Sequence, residues 1–105
     1  MSKRLYCIAQ FTPKEGKFEA LFETLKALEP DTLREDGCIY YRVTKQIENS
    51  FATGESMPIV FQECWESVEA FEEHCQRKEI VAFFEKECLS EDGLVAEYNV
   101  TAYQD

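Results

Sequence analysis

The stretch Ile59-Val60-Phe61-Gln62-Glu63-Cys64-Trp65-Glu66-Ser67 decides the fold. Its first seven residues are rich in β-branched and aromatic side chains and follow Pro58, so they read as a strand over 59–65. Alternation along a strand puts Phe61, Glu63 and Trp65 on one side. Ser67 has the chemistry of a helix N-cap, with Glu69 and Ala70 in the first turn behind it. Val68, Phe71 and Cys75 then recur on one helical face, and His74 lies close to that face. A strand that runs straight into a capped amphipathic helix is half of an α+β unit.

The rest of the chain supplies the other half. Leu5 to Thr12 is apolar, β-prone and stopped by Pro13, which makes a first strand. Phe18, Leu21, Phe22, Leu25 and Leu28 recur at helical spacing. Pro30 interrupts that helix, and Asp31-Thr32-Leu33-Arg34 continues as a short offset turn, because proline is tolerated in a helix's first turn. Cys38 to Gln46 reads as a second strand, Asn49 to Pro58 as an exposed loop, and Leu94 to Tyr103 as a fourth strand. Gln76-Arg77-Lys78 breaks the second helical region, and Ile80, Val81, Phe83, Phe84 and Cys88 form its second apolar face. The order β-α-β-β-α-β predicts a ferredoxin-like fold with a four-stranded antiparallel sheet and helices on one face. Glu35-Asp36-Gly37 and Glu91-Asp92-Gly93 precede strands two and four. Each glycine follows a helix, where a left-handed residue is wanted. Internal duplication and convergent turn chemistry both explain that echo.

Both parities of the strands carry apolar residues. Cys7, Ala9 and Phe11 alternate with Tyr6 and Ile8, while Ile39, Tyr41 and Val43 alternate with Cys38 and Tyr40. A sheet with one wet face alternates apolar with polar. This pattern predicts burial on both faces, with a second copy of the chain covering the face the helices leave bare and forming a homodimer.

The 105 residues, 1–105, make one domain. The formal net charge of −10 argues against nucleic acid and anionic membrane surfaces as partners. No stretch approaches the roughly 20 apolar residues of a membrane span, and no signal peptide is evident. Five cysteines with no C-x-x-C pair, alongside one histidine, argue against a disulfide framework or structural zinc. Buried thiols in a reducing cytoplasm are the expected state.

The run Glu63-x-Trp65-Glu66-Ser67, then Ala70-x-x-x-His74, resembles the signature of the antibiotic biosynthesis monooxygenase superfamily. Gly37-Cys38, Ser50-Phe51 and Ser56-Met57 extend the likeness to its bacterial quinol monooxygenases. The resemblance implies a dimeric α+β barrel of two face-to-face sheets, with a pocket between sheet and helices in each subunit. It further implies oxidation of a quinol or similar small aromatic by O2, with no cofactor and no metal. That chemistry needs a base, a dry aromatic pocket and a means of holding the ring.

His74 falls on the family's histidine and Glu63 shares the strand face of Trp65, so these two are the candidate catalytic residues. Trp65, Phe61, Tyr41, Phe71 and Phe83 are the candidate substrate contacts. Each also has a structural alternative: His74 half-exposed, Glu63 paired with Arg4 or Arg42, the aromatics as core. Polyketide-oxidising members carry asparagine and tyrosine where this chain has Phe61 and Phe71. Haem-degrading members carry an axial histidine where it has Phe84, which argues against haem cleavage. A second histidine of the quinol type is replaced by the local sequence Lys78-Glu79. Two other functions compete: an isomerase or degrading enzyme for a small signalling sugar phosphate, and a non-catalytic dimeric ligand-binding or stress-response protein. The sugar phosphate reading requires Arg42, Lys45 or Arg77 in the pocket.

Overall fold

The computed structural model describes residues 3–105. In chain order these form β1 (Leu5–Pro13), α1 (Phe18–Lys26), α2 (Glu29–Leu33), β2 (Cys38–Lys45), β3 (Ile59–Trp65), α3 (Val68–Cys75), α4 (Lys78–Phe83), a π-helical turn (Phe84–Cys88) and β4 (Val95–Tyr103). All strand pairings are antiparallel, in the order β2-β3-β1-β4. This is the ferredoxin-like α+β arrangement, with each helical region broken once.

The breaks have local causes. Pro30 sits in the first turn of α2, where its missing N–H would have had no helical partner. Between α3 and α4, Arg77 adopts an extended backbone (φ −64°, ψ 141°) and redirects the chain. Ser67 caps α3 as expected: its backbone is extended and its Oγ accepts a hydrogen bond from the Ala70 N–H at 3.1 Å. The Glu29 carboxylate, held by Lys26 at 3.0 Å, accepts the Val43 N–H at 2.8 Å and so ties α2 to the edge strand β2.

The core lies between the helices and one sheet face. Leu5, Cys7, Ala9 and Phe11 of β1, Tyr41 and Val43 of β2, and Ile59, Phe61 and Trp65 of β3 meet Leu21 and Leu25 of α1 there. The parity expected for β2 needs a correction. The β2–β3 register slips between Cys38 and Tyr40, so Cys38 pairs with Trp65 while Tyr40 pairs with Cys64. Ile39 is the extra residue of a bulge and is exposed, and it does not share a face with Tyr41.

The opposite sheet face, which the sequence pattern expects a second copy to cover, carries apolar and polar side chains together. Tyr6, Ile8, Val60 and Cys64 share it with Gln10, Arg42, Gln62 and Asn99, which the register places among them. The apolar doubling is real at the start of β1 and fades toward the middle of the sheet.

The two acidic turns do different jobs. Gly37 has φ +87°, the left-handed conformation expected of it, and a Cβ there would sit 2.6 Å from the Ala70 Cβ. Gly93 has no positive φ. Its smallness is needed because a Cβ would fall 2.2 Å from the Glu87 carbonyl oxygen. Here glycine permits close backbone approach rather than an unusual dihedral, so the echo between the turns does not extend to conformation.

Candidate active site

Phe61 and Glu63 of β3 project onto the helix side of the sheet, as alternation requires, and with them comes a small cavity of about 60 Å³. Cys7, Ala9 and Phe11 form its floor, Tyr41 and Phe61 one wall, and Leu25, Leu28 and Ile80 further walls. Phe71, His74 and Cys75 of α3 line it from above, with Phe84 of the π-helical turn and Val100 of β4. Glu63, His74 and Tyr41 are the lining residues with polar side chains, besides Cys7 and Cys75. Cys75 and Val100 are exposed, so the cavity reaches the surface between α3 and the β4 edge.

Glu63 is 5% exposed and forms no salt bridge among the described residues. Arg4 and Arg42, the pairing considered from the sequence, do not reach it. Its Oε1 accepts the indole N–H of Trp65 at 3.0 Å. Burial pushes the carboxyl up to about 7, against the hydrogen bonds from Trp65 and the neighbouring Cys7 thiol; the negative charge of Glu35 raises it further.

His74 is 4% exposed, not half-exposed, and is the buried residue of α3. Its Nδ1 lies 2.9 Å from Oε2 of Glu35. Arg77 holds the same carboxylate oxygen, and its other arm bonds Glu79 at 2.7 Å. Desolvation lowers the imidazole pKa, and the hydrogen bond to Glu35 works the other way. The ring is packed between Trp65, with centroids 4.6 Å apart, and Tyr41, at 5.2 Å. Tyr41 in turn stacks on Phe61 at 4.3 Å. Burial, first, and then the charge of Glu63 hold the Tyr41 phenol above its ordinary range. Thr32 lies beside it; the Thr32 hydroxyl is buried without completing a well-formed hydrogen bond.

Gly37 explains how Glu35 reaches His74. The turn presses against Ala70, and the Gly37 carbonyl accepts the Glu66 N–H at 2.8 Å. His74 lies one helical turn beyond Ala70 on the same side of α3, so the carboxylate two residues before Gly37 meets its ring. Sequence reading noticed this turn and missed its acid, because the contact spans 39 residues and no local pattern marks it.

Of the seven candidates, Glu63, His74, Phe61, Tyr41 and Phe71 converge on the cavity. Trp65 stands behind it, fully buried, bridging Glu63 and His74. Phe83 is turned into the core, edge-on to Phe11 at 5.8 Å, and Phe84 takes the place at the wall expected of it. A π-helical turn begins at Phe84, directly after α4. No residue of the 46–58 loop lines the cavity, and Phe51 at its tip is exposed.

Burial raises every thiol pKa: Cys38 and Cys75 are pushed up to about 11 and Cys88 to about 12, with Cys7 and Cys64 also raised. No cluster of three or more His, Cys, Asp or Glu is arranged to hold a metal ion among the described residues. No helix among them is long and apolar enough to cross a membrane.

A ferredoxin-like sheet with an apolar cavity beneath its helices, furnished with one buried acid and one buried imidazole, is an α+β domain with a single candidate site of this kind among the described residues. The model of the family described as antibiotic biosynthesis monooxygenase matches residues 4–86, so the chain belongs to that family. Among solved structures, a protein from Shewanella oneidensis is 33% identical, with a TM-score of 0.81 over 100% of this chain and 93% of that one. A Nitrosomonas europaea protein, provisionally titled an antibiotic biosynthesis monooxygenase, is 14% identical with a TM-score of 0.76, covering 100% of this chain and 92% of its own. A Bacteroides fragilis protein titled as dimeric and ferredoxin-like is 13% identical with a TM-score of 0.72, covering 97% and 96%. No curated protein matches the chain significantly.

Proposed function

We propose that this protein oxidises a quinol or a similar small phenol with O2, using only its own side chains. The observation that carries the reading is the pairing of Glu63 and His74 on one apolar, aromatic-walled cavity. A neutral imidazole accepts a phenolic proton. The resulting quinolate is electron-rich enough to reduce O2 directly. Hydroquinone plus O2 gives hydroxyquinone plus water, a balance in which the substrate supplies all four electrons. Glu63, close to half-protonated at neutral pH, donates to and accepts from the second ring oxygen or the oxygen adduct. Tyr41 and Phe61 offer a stacked surface for the ring. The cavity is smaller than typical ligand pockets of roughly 300 Å³ and above, so binding a ring requires lining side chains to move.

The walls argue against a phosphorylated substrate. Arg42 lies over Tyr40, Lys45 over Phe22, and Arg77 is engaged with Glu35 and Glu79. None of the three lines the cavity. Free cysteines among the described residues fit a reducing, cytoplasmic setting.

The test is oxygen uptake with a panel of reduced quinones. His74→Ala is expected to lower uptake at least 100-fold. Equal uptake by both proteins would remove His74 from the mechanism, and no uptake by the wild type beside tight binding of the quinones would favour a binding module. The same reading includes a homodimer joined through the helix-free sheet face, supported by the half-buried Tyr6 and Ile8 there. A two-chain mass in solution at micromolar concentration is expected, and a single-chain mass would end it.

A further inference from the structure

We infer that Glu35 is the positioning residue of this site: its carboxylate takes the Nδ1–H of His74 and so fixes the imidazole in the tautomer whose Nε2 lone pair is left for the cavity. The inference rests on the proposed role of His74 as base and names what makes that role possible.

The geometry is one-sided. Glu35 does not line the cavity, whereas His74 does. The Nδ1 that Glu35 engages at 2.9 Å therefore faces the 35–37 turn. No hydrogen bond to Nε2 occurs among the described residues, so nothing competes there for a substrate proton. A free histidine exchanges its proton between the two nitrogens, and a base must present the bare one to its substrate. A carboxylate behind Nδ1 decides that choice and stabilises the imidazolium that forms when Nε2 is protonated.

Arg77 completes the arrangement. Its guanidinium bonds the same Glu35 oxygen and braces the carboxylate. The other groups facing the imidazole are Tyr41 from β2, Trp65 from β3, Glu63 in the shared cavity and the adjoining Cys75. None of these is recorded in hydrogen-bond contact with Nδ1. The competing explanation is that Glu35 only clamps the turn to α3. That clamp has a second strand, the Gly37 carbonyl to the Glu66 N–H, which needs no Glu35 side chain.

His74 is the only histidine in the chain, so its ring nitrogens give unambiguous signals in ¹⁵N NMR. The experiment compares wild type, Glu35→Ala and Arg77→Ala in the intact protein, by imidazole ¹⁵N shifts and by oxygen uptake with a reduced quinone. In the wild type the neutral ring is expected to carry its proton on Nδ1. In Glu35→Ala the two tautomers mix, the titration midpoint of the ring falls, and kcat drops about ten- to hundredfold with KM within twofold. In Arg77→Ala the Glu35 carboxylate remains behind Nδ1, so the tautomer persists and kcat falls less than in Glu35→Ala. A wild-type proton on Nε2 overturns the inference. So does an unchanged tautomer in Glu35→Ala, or equal damage in the two variants, which is what a mere clamp predicts. If Glu35→Ala fails to fold, Glu35→Gln takes its place: its weaker, uncharged acceptor is expected to lower the midpoint, and an unchanged midpoint overturns the inference. Should no quinol support oxygen uptake by the wild type, the proposed reaction fails, while the imidazole spectrum still decides the role of Glu35.

Discussion

Trp65→Ala is expected to cost about 3–5 kcal/mol of folding stability, the range for deleting a large aromatic from a packed core. Trp65 is 0% exposed and meets Tyr41, Phe71 and His74 through its rings. That loss is a large part of the roughly 5–15 kcal/mol a domain has in total. A second effect accompanies it, since the indole N–H is a hydrogen-bond donor to the buried Glu63. Trp65→Phe separates the two. It keeps most of the volume and removes the donor, so the Glu63 pKa rises while the stability loss shrinks to about 1–3 kcal/mol. Urea unfolding gives the energies and carboxyl NMR gives the ionisation. If Trp65→Ala cost under 1 kcal/mol, the buried position described for the indole would be wrong.

The second large effect concerns pH. The Glu63 carboxyl has an ordinary value of 4.5 and is raised to about 7 in the folded chain. Between those values the folded state binds more protons than the unfolded one. Stability therefore falls as pH rises from about 4.5 to about 7, by about 3 kcal/mol in all, and stays low above that. Glu63→Gln has no proton to lose. Its neutral carbonyl still accepts the Trp65 N–H, so the variant is expected to be the more stable protein at pH 8 and close to wild type at pH 4.5. His74 acts in the opposite sense: its lowered pKa makes stability fall as pH drops below 6.5. That contribution is shared by both proteins and cancels from their difference. Urea midpoints at pH 5 and pH 8 are the measurement, and parallel pH curves for the two proteins would refute the buried ionisation. A residue that destabilises its own fold at working pH is the expected cost of keeping a functional carboxyl in an apolar cavity.

The element order was legible in the sequence because its signals are local. The Ser67 cap, the Pro30 interruption and the alternation of β3 each act within a few residues, and each element formed where those signals placed it. Two departures concern the face a residue takes. The extra residue at Ile39 shifts the face of everything before it in β2, and bulges carry no reliable sequence mark. Phe83 and Phe84 are adjacent where α4 meets the π-helical turn; Phe83 packs into the core and Phe84 lines the cavity, a choice that helical spacing alone does not make.

The site was legible on one side only. Glu63, Trp65 and His74 come from one strand–turn–helix unit, so spacing along the chain brings them together. Glu35 arrives from the turn before β2 and Cys7 from β1, the strand beside β3, joined by the missing side chain at Gly37 and by register. A long-range contact of that kind is set by tertiary packing and leaves no periodic trace.

The raised thiols carry a consequence for the lifetime of the protein. Peroxides and electrophilic quinones attack the thiolate, not the thiol. With Cys75 and Cys38 at about 11 and Cys88 at about 12, the thiolate fraction near pH 7 is on the order of one part in ten thousand or less. Cys7, on the cavity floor and placed nearest any reactive oxygen species generated there, is raised as well. If the proposed reaction holds, that scarcity of thiolate is what keeps the five cysteines from being alkylated or oxidised by its products.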